Sequence, residues 1–206
     1  MRQGFIKVAA LTPKVKVADT TYNREQICML IDEAQEKSAK ILVFPELCIT
    51  GYTCGDLFYQ ELLLREAKKE LLAIAKYTER KDCLVFVGLP LEHQGKLYNV
   101  AAAIAQGKVL GLVPKTHIPN YNEFYEARYF TSGEDVDGTV TIRRSEYGLH
   151  HDEEMTDEDV EFGLEAEVEA LEEEDSFEEL EEIDAGFREV CANRKRNMIV
   201  MGDKFP

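Results

Sequence analysis

The sequence of 206 residues lacks any run of the roughly 20 apolar residues that a membrane-spanning helix requires. We therefore expect no membrane span. The first residues, 1–6, also lack the apolar core and the small-residue cleavage site of a signal peptide, because they run directly into a strand-like pattern. A cytoplasmic location is expected on these grounds.

Regular cysteine and histidine spacings are also missing. The five cysteines are an odd number, none forms a Cys-x-x-Cys pair, and the four histidines do not fall at metal-ligand intervals. We expect reduced and mostly buried thiols, with no disulfide framework, no metal site and no cofactor. The cysteines are Cys28, Cys48, Cys54, Cys83 and Cys191.

The chain has no surplus of positive charge. Residues 1–144 contain 19 Lys and Arg against 18 Asp and Glu, whereas residues 145–206 contain 5 against 22, so the net charge of -16 belongs to the second part. A protein that binds nucleic acid needs a basic face to meet the phosphates. The composition therefore argues against a nucleic-acid partner.

Apolar runs and helical periodicity alternate along the first part of the chain. Helices are predicted from a cap at Asp19 to about Lys40 and from Tyr59 to Arg80. The last two of the five predicted strands flank Gln106-Gly107-Lys108, which indicates a hairpin. This order predicts an α/β fold with helices packed on a mixed sheet. The strands are Phe5–Leu11, Ile41–Phe44, Leu84–Leu89, Tyr98–Ala105 and Val109–Val113.

The second part of the chain differs in composition. Eighteen of the 31 residues in 152–182 are Asp or Glu, and none is Lys or Arg. The spacing of Leu164, Val168 and Leu171 fits an amphipathic helix, but self-repulsion favours disorder. We divide the chain into a domain at 1–144, an acidic linker or insertion at 145–185, and a short basic helix plus strand at 186–206.

Two charged residues each follow a predicted strand and a proline. Glu46 comes after Ile41–Phe44 and Pro45, and Lys115 comes after Val113-Pro114. Strand ends are where open α/β sheets place their ligands, so the pair suits proton transfer and stabilisation of an oxyanion. Taken singly, each would be interpreted first as a solvated loop residue.

The stretch after Lys115 is rich in aromatic and acidic residues. It runs from His117 to Phe130 and contains Glu126, a second carboxylate for the same neighbourhood. The stretch could wall a pocket for a small polar substrate. The alternative is a short surface helix that docks its tyrosines and phenylalanines on the core.

These motifs resemble one family. The segments 44–52 (FPELCITGY) and 113–119 (VPKTHIP) are similar to the glutamate and lysine motifs of the nitrilase, or carbon-nitrogen hydrolase, superfamily. The segments 51–58 (GYTCGDLF) and 120–130 (NYNEFYEARYF) resemble the glutaminase domain of glutamine-dependent NAD synthetases in particular. The resemblance covers about residues 4–135 and stops where the acidic part of the chain begins.

The resemblance implies an αββα sandwich, incomplete in this chain, in which Glu46 is the general base and Lys115 supports the tetrahedral intermediate. Glu126 would be an auxiliary carboxylate. Three aromatic residues would contact the substrate, a small amide expected to be glutamine, and they are Tyr52, Tyr121 and Phe124. A cysteine thiolate would attack the amide and release ammonia for NAD synthesis. Pairing with nitrilase-type or synthetase domains, in a homo- or hetero-oligomer, is also implied.

The chain departs from the family at the nucleophile. The family places its cysteine some 55 residues after the lysine, but residues 169–173 (EALEE) contain none, and Cys191 is the one cysteine after Lys115. Loss of a nucleophile removes most of the catalysis, so a chain without it is expected to be inactive. Alternatively, Cys191 reaches the Glu46–Lys115 site, although its position in the sequence also fits the buried face of a helix. A third hypothesis is a binding or regulatory partner of a full-length relative.

Overall fold

The computed structural model describes residues 5–136, 138–142 and 158–161. They form seven strands, two α-helices and two short 3-10 helices. The strands are β1 (Val8–Ala10), β2 (Ile41–Val43), β3 (Leu84–His93), β4 (Lys96–Ala105), β5 (Lys108–Pro114), β6 (Thr139–Ile142) and β7 (Glu158–Glu161). The helices are α1 (Thr20–Glu36) and α2 (Glu61–Tyr77), and the 3-10 helices are Gly55–Tyr59 and Glu126–Arg128.

The main sheet has five strands in the order β1-β2-β3-β4-β5. β1, β2 and β3 are parallel, whereas β4 and β5 join antiparallel to β3 and to each other. This mixed sheet with helices confirms the predicted α/β class. The carboxyl ends of β2 and β5 lead directly to Glu46 and Lys115.

Helix α1 begins where the sequence predicts, because the Asp19 side chain accepts a hydrogen bond from the Tyr22 backbone N–H at 3.1 Å. Its apolar face is buried, with Ile27 and Ile31 fully inaccessible. The predicted end at about Lys40 is wrong, since the helix ends at Glu36. Ser38 has a φ of 59°, which turns the chain out of the helical conformation and toward β2.

Helix α2 is shorter than the predicted Tyr59–Arg80. Residues Gly55–Tyr59 form a separate 3-10 turn, and α2 runs only from Glu61 to Tyr77. A buried carboxylate joins α2 to α1, because Glu70 accepts hydrogen bonds from Thr21 and Arg24, each at 2.8 Å. Hydrogen bonds from a charged donor such as Arg24 are stronger than neutral ones, so this contact ties the two helices together.

Strand β3 is longer than predicted, since it continues past Leu89 to His93 and forms a hairpin with β4. The turn is Gln94-Gly95, with φ values of 51° and 72°. The predicted hairpin between β4 and β5 is confirmed, but Lys108 belongs to β5, so the turn is Gln106-Gly107, with φ values of 47° and 83°. Both turns thus use the same dipeptide, in which glycine supplies the left-handed conformation at little cost.

Strands β6 and β7 pair antiparallel, with Val140 opposite Val160. Neither was predicted, and β7 lies inside the segment 145–185, where a helix or disorder was expected. Val140 and Ile142 are buried in the main hydrophobic cluster of the domain. The rest of that segment, the predicted helix and strand of 186–206, and Cys191 lie outside the described residues.

The core lies where the helices cover the sheet. Its fully buried residues include Leu42 and Val85 of the sheet and Leu71 and Ile74 of α2. A second, smaller cluster packs the segment after β2 against the stretch before β6 through Leu47, Cys54, Phe58, Leu63 and Phe130. Within the described part of the chain, no helix is both long and apolar enough to cross a membrane.

Candidate active site

Glu46 is held at the end of β2 by a tight backbone arrangement. Leu47, the next residue, has a φ of 50°, and the Ile49 N–H donates to the carbonyl of Gly88 in β3 at 3.2 Å. Gly88 leaves no room for a side chain here, because an added Cβ would lie 3.0 Å from the Glu46 carbonyl carbon and closer still to the Leu47 nitrogen. The Glu46 carboxylate, 39% exposed, therefore projects from a fixed backbone.

Lys115 meets this carboxylate from the end of β5. Its backbone N–H donates to the carbonyl of Asn99 in β4 at 2.8 Å, which continues the β4–β5 pairing beyond Pro114. Its Nζ donates to Glu46 Oε1 at 2.6 Å and to Glu126 Oε2 at 2.8 Å. The two strand-end residues that the sequence pairs are thus in direct contact.

Glu126 completes the cluster from the 3-10 helix Glu126–Arg128. Its side chain is 5% exposed and accepts a hydrogen bond from the Tyr52 hydroxyl at 2.7 Å. Two contacts hold this 3-10 helix in place. The Tyr59 hydroxyl donates to the carbonyl of Arg128, and the Arg128 guanidinium pairs with Asp56 at 3.0 Å. The predicted second carboxylate therefore lies beside Lys115. The alternative of a short surface helix that docks on the core holds in part, because a three-residue 3-10 helix forms and Phe130 is buried.

The surroundings of Lys115 and Tyr52 favour the protonated form of both groups. Burial lowers the pKa of Lys115, but the hydrogen bonds and negative charges of Glu126 and Glu46 outweigh burial and raise it above the usual 10.5. Burial and the Glu126 carboxylate raise the pKa of Tyr52, so this hydroxyl remains a donor. An ammonium group between two carboxylates is available at neutral pH to stabilise a developing oxyanion.

One further residue contacts the cluster, and the sequence prediction missed it. Asn99 is 4% exposed, and its side-chain amide donates a hydrogen bond to Glu46 Oε1. The sequence did contain an indication of this role, because Asn99 is the one side-chain amide in the apolar strand 96–105. A buried polar group in such a strand requires a partner.

A cavity of about 730 Å³, open to solvent, lies next to Lys115. Tyr121 lines it, as do His117 and Phe130. Phe124, also predicted for the substrate pocket, packs against the Tyr121 ring with their centroids 5.7 Å apart. Tyr52 lies on the Glu126 side of the cluster. Of the three aromatic residues predicted for the substrate pocket, Tyr52 contacts the charged cluster, Tyr121 lines the cavity, and Phe124 contacts Tyr121.

The structure offers no thiolate near this cluster among the described residues. All four described cysteines are buried, and burial raises the pKa of Cys48 to about 12 and those of Cys28 and Cys83 to about 11. Burial also raises the pKa of Cys54. A protonated thiol is a poor nucleophile, so these four cysteines are structural.

The described part of the chain contains no set of side chains that could form a metal site. No group of three or more His, Cys, Asp or Glu side chains there is arranged to hold an ion. The Glu46–Lys115–Glu126 cluster carries its own cation in the Lys115 ammonium.

Comparison with known proteins agrees with this geometry. The profile of the family described as Carbon-nitrogen hydrolase matches residues 7–150. The chain is 36% identical over 140 residues to the glutamine-dependent NAD(+) synthetase of Mycobacterium leprae, covering 68% of this chain and 21% of that protein. It is 44% identical over 119 residues to the Aquifex aeolicus protein of the same name, covering 58% and 21%. The chain thus spans about a fifth of the length of these curated relatives.

Solved structures show the same relationship. A glutamine-dependent NAD(+) synthetase from Cytophaga hutchinsonii superposes with a TM-score of 0.64 at 30% identity, covering 77% of this chain and 25% of that one. An amidase from Nesterenkonia sp. gives a TM-score of 0.55 at 21% identity, covering 68% and 52%. These similarities confirm the predicted nitrilase-like fold class.

Proposed function

This chain belongs to the carbon-nitrogen hydrolase family, and from that premise we propose that its Glu46–Lys115 site hydrolyses the side-chain amide of glutamine. The observation that carries the proposal is the 2.6 Å contact between Lys115 Nζ and Glu46 Oε1 beside a cavity. The choice of glutamine is supported by relatives named glutamine-dependent NAD(+) synthetases. The released ammonia would serve NAD synthesis by a synthetase domain.

In the proposed reaction, Glu46 takes the proton of a cysteine thiol, and the sulfur attacks the amide carbon. The Lys115 ammonium stabilises the oxyanion that forms. The nitrogen leaves as ammonia with the proton that Glu46 returns, and a thioester remains. Water, deprotonated by Glu46, then cleaves the thioester to give glutamate and the free thiol.

The nucleophile in this proposal is Cys191. The four described cysteines are buried and have raised pKa values, so none of them supplies a thiolate at neutral pH. Cys191 is the fifth and last cysteine of the sequence. Hydrolysis by this chain therefore depends on it.

Ammonia release from glutamine by the purified chain tests the proposal. Glu46→Gln keeps the shape of the side chain but cannot accept the proton, so we expect release to fall by about 10²-fold. Glu123→Gln, which changes an exposed glutamate of the segment before Glu126, should leave the rate unchanged. A rate that is equal in Glu46→Gln and the wild type would contradict the assigned base.

A second candidate function is a binding or regulatory partner without catalysis. The burial of every described cysteine favours it. A folded chain that releases no ammonia would support this function and contradict the first.

A further inference from the structure

Asn99 contacts both members of the proposed catalytic pair. It lies in β4, between β3 and β5, where it is opposite Pro90 of β3. Its carbonyl accepts the Lys115 backbone N–H at 2.8 Å, and its side-chain Nδ2 donates to Glu46 Oε1. One buried residue therefore links the lysine on one strand end to the glutamate on another.

The hydrogen bonds to Glu46 are unevenly divided between its two oxygens. Within the described part of the chain, Glu46 accepts two hydrogen bonds, one from Asn99 Nδ2 and one from Lys115 Nζ, and both end at Oε1. The last torsion of a glutamate is broad, so one donor alone would not fix the plane of the carboxylate. Two donors that converge on one oxygen, one from β4 and one from the end of β5, restrict this torsion. Among the described residues, no hydrogen bond ends at Oε2.

An amide is suited to this position. It donates a hydrogen bond without adding a charge, whereas an ionised aspartate could only accept. The cluster already holds two carboxylates for one ammonium, Lys115. An apolar residue of the same size would fill the space but would leave Glu46 with Lys115 as its one donor among the described residues.

We propose that Asn99 is a positioning residue of this site: its side-chain amide fixes the Glu46 carboxylate on Lys115, so that Oε2 is the oxygen that takes the proton. The inference rests on the proposed role of Glu46 as base. Asn99 acts through Glu46 and Lys115 and has no contact with the substrate in this role.

The hydrogen bond can be tested without any catalysis. In a nitrogen–proton NMR spectrum, we expect one side-chain amide proton of Asn99 to resonate downfield and to exchange slowly with water. The signal is assigned by its loss in Asn99→Leu, and in Glu46→Ala it should return to the position of a solvated amide. Amide signals that do not respond to Glu46→Ala would overturn the proposal.

The functional consequence is tested by the kinetics of glutamine hydrolysis. Asn99→Leu should lower kcat by about 10- to 100-fold and leave KM within about twofold, because positioning of the base acts on the chemical step. The matched control is Thr78→Val, which removes another fully buried polar group far from the site, where Thr78 bonds to Ala75 and Gly107. It should change thermal stability but not kcat.

The two measurements separate the failure of this inference from that of the proposed function. If the wild type releases no ammonia, the proposed function fails, and the NMR signals alone decide whether Asn99 holds Glu46. If the wild type is active, an equal kcat in Asn99→Leu and the wild type overturns the positioning role. A loss of kcat in Thr78→Val as large as that in Asn99→Leu would also overturn it.

Discussion

Replacing Lys115 with methionine is expected to lower the free energy of unfolding by about 3 kcal/mol and to reduce ammonia release by about 10³-fold. Methionine keeps the length of the side chain and removes its charge. Glu126, which is 5% exposed, would then be left without the ammonium that it contacts at 2.8 Å. The oxyanion would lose its cation at the same time. Denaturant unfolding and the ammonia assay measure the two effects.

The loss of unfolding free energy in Lys115→Met should depend on pH. The pKa of Lys115 is raised in the fold, so its stabilising contribution is complete below 10.5 and disappears only as the pH rises through the folded-state value. Between about pH 5 and pH 9 the wild-type ammonium stays charged. The deficit of Lys115→Met should shrink only as the pH rises through the folded-state pKa of Lys115, where the wild type loses the same charge.

The matched control is Lys81→Met. Lys81 is 18% exposed and pairs with Asp32 at 2.6 Å, but the Asp32 side chain is 48% exposed and water can solvate it when the lysine is removed. The loss of stability should stay below about 1 kcal/mol, with unchanged ammonia release. Equal losses in the two variants would contradict the role given to the buried Glu126.

Replacing Gly88 with alanine is expected to destabilise the domain by about 3 kcal/mol or more. The new Cβ would press on backbone atoms, lying 3.0 Å from the Glu46 carbonyl carbon and 3.1 Å from its Cα. Backbone atoms cannot rotate away as the end of a side chain can, so β3 and the segment after β2 must separate. The shift would displace Glu46, and ammonia release should fall together with stability.

Gly111→Ala is the control for Gly88→Ala. Gly111 lies in β5 of the same sheet, paired with Ala103, and no atom lies within 4 Å of an added Cβ. We expect the free energy of unfolding to change by less than about 0.5 kcal/mol. Equal stability of the two variants in denaturant unfolding would show that the contact between Gly88 and Glu46 is not tight.

The charged pair of the site could be predicted from the sequence because each member follows an apolar strand and a proline. Glu46 and Lys115 are 69 residues apart, yet the parallel and antiparallel pairings of the sheet bring them within hydrogen-bond distance. Glu126 was predicted through its aromatic and acidic surroundings. Local pattern was sufficient for Glu46 and Lys115 because their positions follow from where strands end.

Asn99 and Gly88 could not be recognised in the same way, because the role of each depends on a contact with Glu46, which is distant from both in the sequence. The prediction ended β3 at Leu89, before Pro90, whereas the strand continues to His93. Pro90 lacks an N–H and weakens the strand pattern. The dipeptide Gln94-Gly95, identical to the turn at 106–107, would have extended the strand and placed Asn99 opposite Pro90.

The strands β6 and β7 were missed for a different reason. β7 is Glu158–Glu161, a sequence of Glu-Asp-Val-Glu with a single apolar residue. Charge content predicts a helix or disorder for such a segment, and tertiary pairing with β6 overrides that preference. Val140 and Ile142 of β6 do alternate with threonines, which is the period of a half-buried strand.

The most direct test of the proposed function is covalent trapping with a glutamine-like electrophile, such as a diazoketone analogue of glutamine, followed by intact-mass measurement and peptide mapping. The proposal predicts one adduct, on Cys191, that is prevented by excess glutamine and slowed in Lys115→Met. Cys28, Cys48, Cys54 and Cys83 should stay unmodified, because they are buried and protonated. A folded chain that forms no adduct, or forms one on any of these four cysteines, would contradict the proposed mechanism.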